Sequence, residues 1–151
     1  MAIRFYSTSE TYREFSNFAP FAFELDGARW ATVENFYQTQ KFTDPALRET
    51  IRTAEKPIIA KSLADGNRDK VRPDWDAVKD TVMYRAVRSK FETHAQLRAL
   101  LLATGDEDLL EDSPTDTYWG VGADGKGLNK LGQILMRVRA ELRDSAEDQP
   151  Q

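Results

Sequence analysis

The sequence contains no cysteine and a single histidine, His94, among its 151 residues. The lack of cysteine excludes disulfides, thiolate metal sites and cysteine nucleophiles, and any histidine-based triad would depend on His94 alone. No stretch approaches the roughly 18 consecutive apolar residues of a membrane span. The N-terminus also lacks the basic and then apolar order of a signal peptide, so we expect a cytoplasmic protein without a metal site.

A broad basic surface is missing as well. The chain has a net charge of −4 and a pI near 5.1, whereas non-specific binding along a nucleic-acid backbone requires clustered positive charge. A basic pocket on such an acidic protein would bind one small phosphate-bearing group. The length corresponds to one domain with its own core. We expect that domain over residues 1–143, followed by an acidic disordered tail over residues 144–151.

Turn and capping patterns predict an α+β fold that is mainly helical, with a small antiparallel β element near the N-terminus. Residues 3–6 are predicted as a strand, and residues 21–30 as a hairpin, because Asp26-Gly27 suits a type I′ turn. Residues 67–76 are polar and predict an irregular segment. Helices are predicted at about 33–42, from Pro45, from Pro57 to Gly66, at about 78–91, before Gly105 and over 128–142. The last helix has a core-facing stripe of Leu128, Leu131, Leu135, Val138 and Leu142.

One face of the helix after the hairpin carries polar and aromatic side chains. Glu34, Tyr37, Gln38 and Lys41 are three, four and seven positions apart, so they share that face over two turns. The pattern fits a solvated face with a tyrosine packed at its edge, and it equally fits a buried wall of a catalytic or binding site. The spacing alone leaves both interpretations open.

The loop over residues 113–122 joins two helix-forming stretches and is rich in groups that suit a nucleotide-like ligand. Glycines allow backbone N–H groups to approach a ligand closely, and the glycine-rich turn with the following helix N-terminus suits a phosphate. Trp119 either fills the core beneath the loop or stacks on a planar ligand. The candidate ligand-binding residues of this loop are Asp116, Tyr118, Trp119, Gly120 and Gly122.

Other candidates are spread along the chain. Asn17 and Phe18 lie in a tight loop, where asparagine commonly bridges backbone groups; alternatively, the amide and the ring contact an adenine or a ribose. Arg72 lies in irregular chain, where phosphate contacts are often made. Lys79 lies on the central helix, where most charges face solvent.

Many ordered motifs together resemble the NADAR or YbiA-like family over roughly residues 3–142. The motifs that carry the resemblance are Ser16-Asn17-Phe18, Glu34-Asn35-Phe36-Tyr37-Gln38 with Lys41-Phe42, Arg72-Pro73-Asp74-Trp75 with Val78-Lys79, Ser113-Pro114 with Asp116 and Trp119-Gly120-Val121-Gly122, and Gly127 with Asn129 and Leu131-Gly132. The resemblance implies a mainly helical fold and an N-glycosidase activity that needs no cofactor. The family commonly has Glu-His where this chain has Glu34-Asn35, so the contribution of an imidazole would be absent here.

The resemblance implies two substrate classes, both cleaved at a ribosyl C1′–N bond on a phosphorylated ribose. One is ADP-ribose attached to guanine, in a nucleotide or in single-stranded DNA, and the other is an early phosphorylated intermediate of riboflavin biosynthesis. A cognate ADP-ribosyltransferase toxin from the same operon would be a fitting partner of the first activity. The rival hypothesis is a non-catalytic module that binds ADP-ribose or NAD.

Roles follow from the resemblance for each candidate residue. Glu34 and Asp116 are the expected catalytic carboxylates, which would stabilise positive charge at C1′ and activate water. Lys41 would hold a phosphate or attack C1′ to give a Schiff-base-type intermediate, and Trp119 would stack beside the reacting centre. The expected substrate-binding residues are Asn17, Phe18, Tyr37, Arg72, Lys79, Tyr118, Gly120, Gly122 and Asn129.

Overall fold

The computed structural model describes residues 2–148, which belong to two units. One unit is continuous and spans residues 17–93. The other unit combines the first sixteen residues with the chain from residue 94 onward. Among the described residues, no helix is long and apolar enough to cross a membrane.

The discontinuous unit is organised around a pair of parallel strands. Strand β1 (Ala2–Phe5) pairs with β4 (Asp108–Glu111), with Ala2 opposite Asp108. Helix α5 (Ala95–Ala103) precedes β4, and helix α6 (Lys130–Asp148) packs against it. Strand β4 was not predicted, because two leucines between acidic residues form too short a pattern without the partner strand.

The apolar stripe of α6 is confirmed over most of its length. Leu131, Leu135 and Val138 are completely buried, and Leu142 is nearly so, whereas Leu128 precedes the helix and is 55% exposed. The placement of Leu128 in the stripe was therefore wrong, since the helix begins at Lys130. The helix also continues to Asp148, so residues 144–148, expected in the disordered tail, are helical. Residues 149–151 of that expected tail lie outside the described part.

The continuous unit starts with the expected hairpin. Strands β2 (Phe23–Leu25) and β3 (Ala28–Trp30) pair antiparallel, and the turn residues Asp26 and Gly27 have φ angles of 54° and 76°. These positive angles are the ones that a type I′ turn requires. The small antiparallel element near the N-terminus is confirmed.

Four helices complete this unit, and two of them begin at the predicted caps. They are α1 (Val33–Thr39), α2 (Pro45–Arg52), α3 (Pro57–Asp65) and α4 (Trp75–Thr93). The Thr32 hydroxyl accepts the N–H of Asn35 at 3.1 Å, and the Asp44 carboxylate accepts the N–H of Leu47 at 3.1 Å, as N-cap residues do. A small apolar core lies between α2 and α3, made of Phe42, Ile51, Ala60 and Ala64. The mainly helical α+β fold is confirmed.

Candidate active site

Helix α1 is buried on every side, which excludes a solvated polar face. All seven of its residues are buried, and the Glu34 side chain keeps only 6% of its surface exposed. A buried carboxylate is costly unless hydrogen bonds or charges compensate it. The interpretation as a solvated face is therefore wrong for α1, which ends at Thr39, two residues before Lys41. The role of this buried face as a wall of a site stays a prediction.

Glu34 is held by two neighbours in the same unit. Gln38, one turn later on α1, donates from Nε2 to Glu34 Oε1 at 2.7 Å, and the backbone N–H of Glu34 donates to the carbonyl oxygen of Asn17 at 3.1 Å. The Asn17 amide itself contacts Met83 Sδ at 3.4 Å. The loop of Asn17 is therefore fastened to the first turn of α1, directly beside the carboxylate.

Two residues bonded to Glu34 each carry a side-chain acceptor without a hydrogen-bond partner among the described residues. The atoms are Oε1 of Gln38 and Oδ1 of Asn17, and these residues are only 4% and 8% exposed. Buried polar atoms in folded proteins are nearly always hydrogen-bonded. Buried acceptors without a partner are therefore more typical of a ligand-binding site than of a packed core.

Lys41 lies beside two aromatic rings. Its Nζ is 5.3 Å from the ring centroid of Tyr37 and 5.9 Å from that of Trp75, and these two rings meet edge to face at 5.1 Å. Both distances are within the range of cation–π attraction. The Lys41 amine therefore lies near the ring of Tyr37 on α1 and that of Trp75 on α4.

Burial lowers the pKa of the Lys41 amine below its ordinary value, although the negative charges of Glu34 and Asp65 oppose that shift. The positive charges of Lys61 and Arg68 lower the pKa further. Desolvation acts against the charged form of a lysine, so a larger share of the amine is neutral at a given pH. Such an amine can act as a nucleophile, and in its charged form it belongs to a cluster of cations that suits a phosphate.

Arg72 and Lys79 are already engaged by neighbouring acids. The guanidinium of Arg72 makes a two-point contact with Asp74 at 2.6 and 2.8 Å, which raises the pKa of Arg72 and lowers that of Asp74. Its backbone N–H donates to the Lys41 carbonyl at 2.8 Å. Lys79 contacts Asp76 at 3.2 Å. A phosphate would compete with these carboxylates for either cation.

The loop over residues 113–122 belongs to the other unit, and Asp116 organises its backbone. Oδ1 of Asp116 accepts the N–H groups of Tyr118 and Trp119 at 2.9 and 2.8 Å, while the N–H of Asp116 donates to the Ser113 hydroxyl at 2.9 Å. The Trp119 side chain is 9% exposed and meets the Tyr118 ring edge to face at 4.9 Å. Packing therefore accounts for most of the indole surface, and one carboxylate oxygen of Asp116 has a structural role.

The glycines of this loop serve close contacts within the chain. A Cβ on Gly127 would lie 2.4 Å from the carbonyl oxygen of Gly120, and Gly122 has a φ of 71°. The N–H groups of Lys130 and Leu131, the first of α6, donate to loop carbonyl oxygens at 3.0 Å. The expectation that the start of α6 binds phosphate is wrong for these two groups, because loop carbonyls already occupy them.

Asn129 is fully engaged in fastening β4. Its Oδ1 accepts the N–H of Glu111 at 2.9 Å, and its Nδ2 donates to the carbonyl of Leu109 at 2.9 Å. Its φ of 54° is one that asparagine tolerates better than most residues. Both amide atoms of Asn129 therefore have a structural role, and its substrate-binding role stays a prediction.

The structure thus groups the predicted residues by unit. The continuous unit contains Asn17, Phe18, Glu34, Tyr37, Lys41, Arg72 and Lys79. The discontinuous unit contains Asp116, Tyr118, Trp119, Gly120, Gly122 and Asn129. Contacts within the first unit connect Glu34 to Asn17 and Lys41 to Tyr37. No cluster of histidine, aspartate or glutamate among residues 2–148 is suited to hold a metal ion.

Sequence reasoning left out two residues that the structure places at this site. Gln38 was on the helix face but received no role, although an i, i+4 spacing from Glu34 is the spacing of a hydrogen bond along a helix. Trp75 contacts Tyr37 and Lys41. The signal in the sequence that could have indicated a site role for Trp75 was its place in the Arg72-Pro73-Asp74-Trp75 motif. Contacts between segments so far apart leave no local pattern.

The departure at Asn35 is structural. This fully buried side chain donates to the carbonyl oxygen of Ile51 at 3.1 Å and accepts from the Thr32 hydroxyl at 2.7 Å. It therefore points at the C-terminal end of α2 while Glu34 bonds Gln38.

Comparisons with known proteins identify the family. The family model of the NADAR domain matches residues 4–143. N-glycosidase YbiA of Escherichia coli (strain K12) is 47% identical over 140 residues, covering 93% of this chain and 88% of that protein. N-glycosidase Npun_R5314 of Nostoc punctiforme is also 47% identical, covering 95% and 94%. Riboflavin biosynthesis protein VVA0006 of Vibrio vulnificus is 41% identical, but only 39% of its length is covered.

A solved structure is similar over the entire chain. The NMR structure of the E. coli protein YbiA superimposes with a TM-score of 0.93 at 44% identity, covering 100% of this chain and 90% of that one. The sequence resemblance is thereby confirmed at the level of both family and fold. The chain belongs to the NADAR family, and it is an enzyme, a hydrolase that acts on N-glycosyl bonds.

Proposed function

We propose that this enzyme hydrolyses a ribosyl C1′–N bond on a phosphorylated ribose, and that its substrate is ADP-ribose attached to a guanine base. The observation that carries the proposal is the buried Glu34, fastened by Gln38 and close enough to Lys41 to influence its pKa. An acid and cations side by side match a substrate that has its reacting carbon next to a phosphate.

Glu34 would act on the reacting carbon. When the C1′–N bond breaks, the electron pair leaves with the base and positive charge develops at C1′, which a nearby carboxylate stabilises. The carboxylate would also take a proton from the attacking water, whose oxygen bonds to C1′, while the departing base gains a proton. Asp116 is the second candidate carboxylate, with one oxygen engaged by two backbone N–H groups.

Lys41 has two possible roles that its environment supports. Charged, it adds to the positive field of Lys61 and Arg68 around a phosphate. As a neutral amine, it would attack C1′ as the base leaves and form a C1′–Nζ bond. Breaking of the C1′–O4′ ring bond, with Nζ losing a proton and O4′ gaining one, then gives a Schiff base, which water hydrolyses to free ribose and the free amine. Its lowered pKa favours the second role, and the neighbouring cations favour the first.

One argument favours ADP-ribose over a riboflavin intermediate: its two phosphates carry more negative charge, which suits a site with more than one cation near Lys41. The relatives that this chain covers almost completely are named N-glycosidases, a name that fits either substrate because both are cleaved at a C1′–N bond. The second candidate is a phosphorylated pyrimidine intermediate of riboflavin synthesis. It is favoured by the match to proteins of Vibrio vulnificus and maize named for riboflavin biosynthesis.

The acidic net charge suits a small or single-stranded substrate, because a guanine inside a duplex would first have to be extruded. A cognate ADP-ribosyltransferase toxin encoded nearby would supply the modified guanine, in a cytoplasmic setting. An ADP-ribosyltransferase gene next to this one would support that partner. Riboflavin genes at the same place would support the second candidate instead.

Purified protein should be incubated separately with ADP-ribosylated guanosine, with an ADP-ribosylated oligonucleotide and with the riboflavin intermediates. Release of guanine-containing product from the first two supports the primary proposal. Release of pyrimidine from the third alone supports the second candidate. If ADP-ribose binds in calorimetry but none of the substrates is cleaved, the proposed reaction is rejected.

Asp116→Asn tests the second carboxylate. The amide oxygen of the variant can still accept the N–H groups of Tyr118 and Trp119, so we expect a native melting temperature. Activity should fall by about 10²-fold or more if Asp116 acts in proton transfer. Near-normal turnover would leave Asp116 as a structural residue only. Asp124→Asn is the matched control, because Asp124 also accepts a backbone N–H, that of Lys126, at 2.9 Å.

A further inference from the structure

The two polar atoms of the Gln38 side-chain amide differ in their hydrogen bonding. Nε2 donates to the buried Glu34 carboxylate at 2.7 Å, whereas Oε1 is buried and has no partner among the described residues. The orientation of the amide is determined by chemistry, since an oxygen turned toward the carboxylate would be repelled by it. Oε1 is thus a fixed acceptor one amide group away from the proposed catalytic acid.

A fixed, buried and unpaired acceptor selects a ligand that brings a donor to it. Leaving such an atom unpaired costs free energy that a ligand O–H or N–H recovers. Within the proposed function, Glu34 acts at C1′, and the ribose hydroxyl next to C1′ is the one on C2′. Hydrogen bonds to that hydroxyl are known to strengthen as charge develops at the anomeric carbon of glycosides.

We infer that Gln38 determines sugar specificity by accepting a hydrogen bond from the ribose 2′-hydroxyl, so that the enzyme selects ribosides over 2′-deoxyribosides. The inference rests on the proposed function, because it requires a ribose whose C1′ faces Glu34. Asn17, whose backbone carbonyl accepts the Glu34 N–H, also has a side-chain oxygen without a partner among the described residues, which would be available to a second hydroxyl. The Gln38 amide would then hold Glu34 through Nε2 and contact the sugar through Oε1.

The test uses binding, so that it does not depend on turnover. The probes are methyl β-ribofuranoside 5-phosphate and its 2-deoxy counterpart, in which the methyl group locks the ring and leaves no free aldehyde to react with Lys41. We expect wild-type protein to bind the ribo probe about tenfold more tightly, the value of roughly one net hydrogen bond. In Gln38→Met, which keeps the length of the side chain but lacks the acceptor, the two affinities should agree within about twofold.

Two further variants keep the result interpretable. Gln133→Met is the matched control, because Gln133 is an exposed glutamine of α6 whose side-chain amide donates to the Leu128 carbonyl; it should keep the wild-type ratio. Gln38→Glu retains an acceptor and should keep a ratio above about threefold even if both probes bind more weakly, so it serves if Gln38→Met does not fold.

Three outcomes overturn the inference: wild-type affinities that are equal, a ribo preference that survives in Gln38→Met, or no binding of either probe. Failure of the proposed function is distinguished from these by the incubation experiment. Probe binding with a Gln38-dependent ribo preference, but with no cleavage of any N-glycoside, would uphold the sugar contact and reject the reaction.

Discussion

Replacing Asn35 by alanine tests whether this residue anchors α1 without taking part in the reaction. The alanine loses the contacts of Nδ2 with the carbonyl oxygens of Ile51, Arg52 and Ala54, at 3.1, 3.4 and 3.3 Å. It also loses the contact of Oδ1 with the Thr32 hydroxyl at 2.7 Å. Because Nδ2 has two N–H groups, these contacts amount to about three hydrogen bonds at roughly 1 kcal/mol each; with roughly 1 kcal/mol for the cavity, the loss is about 4 kcal/mol. For a chain of this length that corresponds to a decrease in melting temperature of about 8–16 °C.

Differential scanning calorimetry gives the stability, and turnover well below the melting temperature gives the activity. We expect the folded alanine variant to keep its activity within about threefold, because the Asn35 side chain points at α2 and not at Glu34. An unchanged melting temperature together with a collapse of activity would refute this reasoning and assign Asn35 to the chemistry.

A second variant, Asn35→Asp, tests the same role of residue 35 through the pH dependence of stability. The carboxylate could still accept from Thr32, but it would face the Ile51 carbonyl without a donor unless it is protonated. Burial beside a carbonyl oxygen raises the pKa of such a carboxyl group, so the folded state holds its proton to higher pH than the unfolded state. The stability deficit relative to wild type should therefore grow as the pH rises above about 4. Urea unfolding at pH 5 and pH 8 measures it, and a deficit that shrinks with pH would contradict the assignment.

Three further predictions concern the acid, the amine and the glycine-rich region. Glu34→Gln, which preserves side-chain shape, should fold normally and lose about 10²–10⁴-fold in turnover; near-wild-type kinetics would remove Glu34 from the mechanism. The extent of reductive methylation of Lys41, measured by mass spectrometry as a function of pH, should give a pKa below the ordinary lysine value of about 10.4. In Glu34→Gln this pKa should be lower still, because the attraction that raises it is lost. A higher pKa in Glu34→Gln would be incompatible with this charge arrangement. Gly132→Ala should prevent stable folding, because its Cβ would lie 2.0 Å from the Leu109 carbonyl oxygen. Gly125→Ala is the comparison variant: φ is 74° there, but the space around the position is open. It should lower the free energy of unfolding by only about 1 kcal/mol. Equal stability of the two alanine variants in a thermal melt would show that α6 does not approach β4 so closely.

Local chemistry made much of the fold predictable. The Asp26-Gly27 turn, the caps Thr32 and Asp44, and the prolines that begin α2 and α3 each act within a few residues, and all of them were found at their expected places. Strand β4 could not be predicted in this way, because its pairing with β1 and its contacts with Asn129 are made by residues far away in the sequence. Patterns over a short window do not contain such contacts.

The same distinction between local and long-range contacts applies to the candidate site. Helical spacing brought Glu34 and Gln38 to one face, and the structure adds the hydrogen bond between them. The spacing did not reveal that this face is buried, nor that Trp75 lies beside Lys41. The structural role of Asn129 could not be predicted either, because its contacts with Leu109 and Glu111 join residues far apart in the sequence.

Strand β1 leaves the ribosome long before its partner exists. Ala2 pairs with Asp108, so at about 5–20 residues per second the first strand remains unpaired for about 5–20 s. The segment over residues 17–93 is continuous and can become compact during that interval. Phe5, which is completely buried at the end, stays available to chaperones and to other nascent chains until the last third of the protein is made. Extensions added at the N-terminus should therefore affect the yield of folded protein more than its final stability.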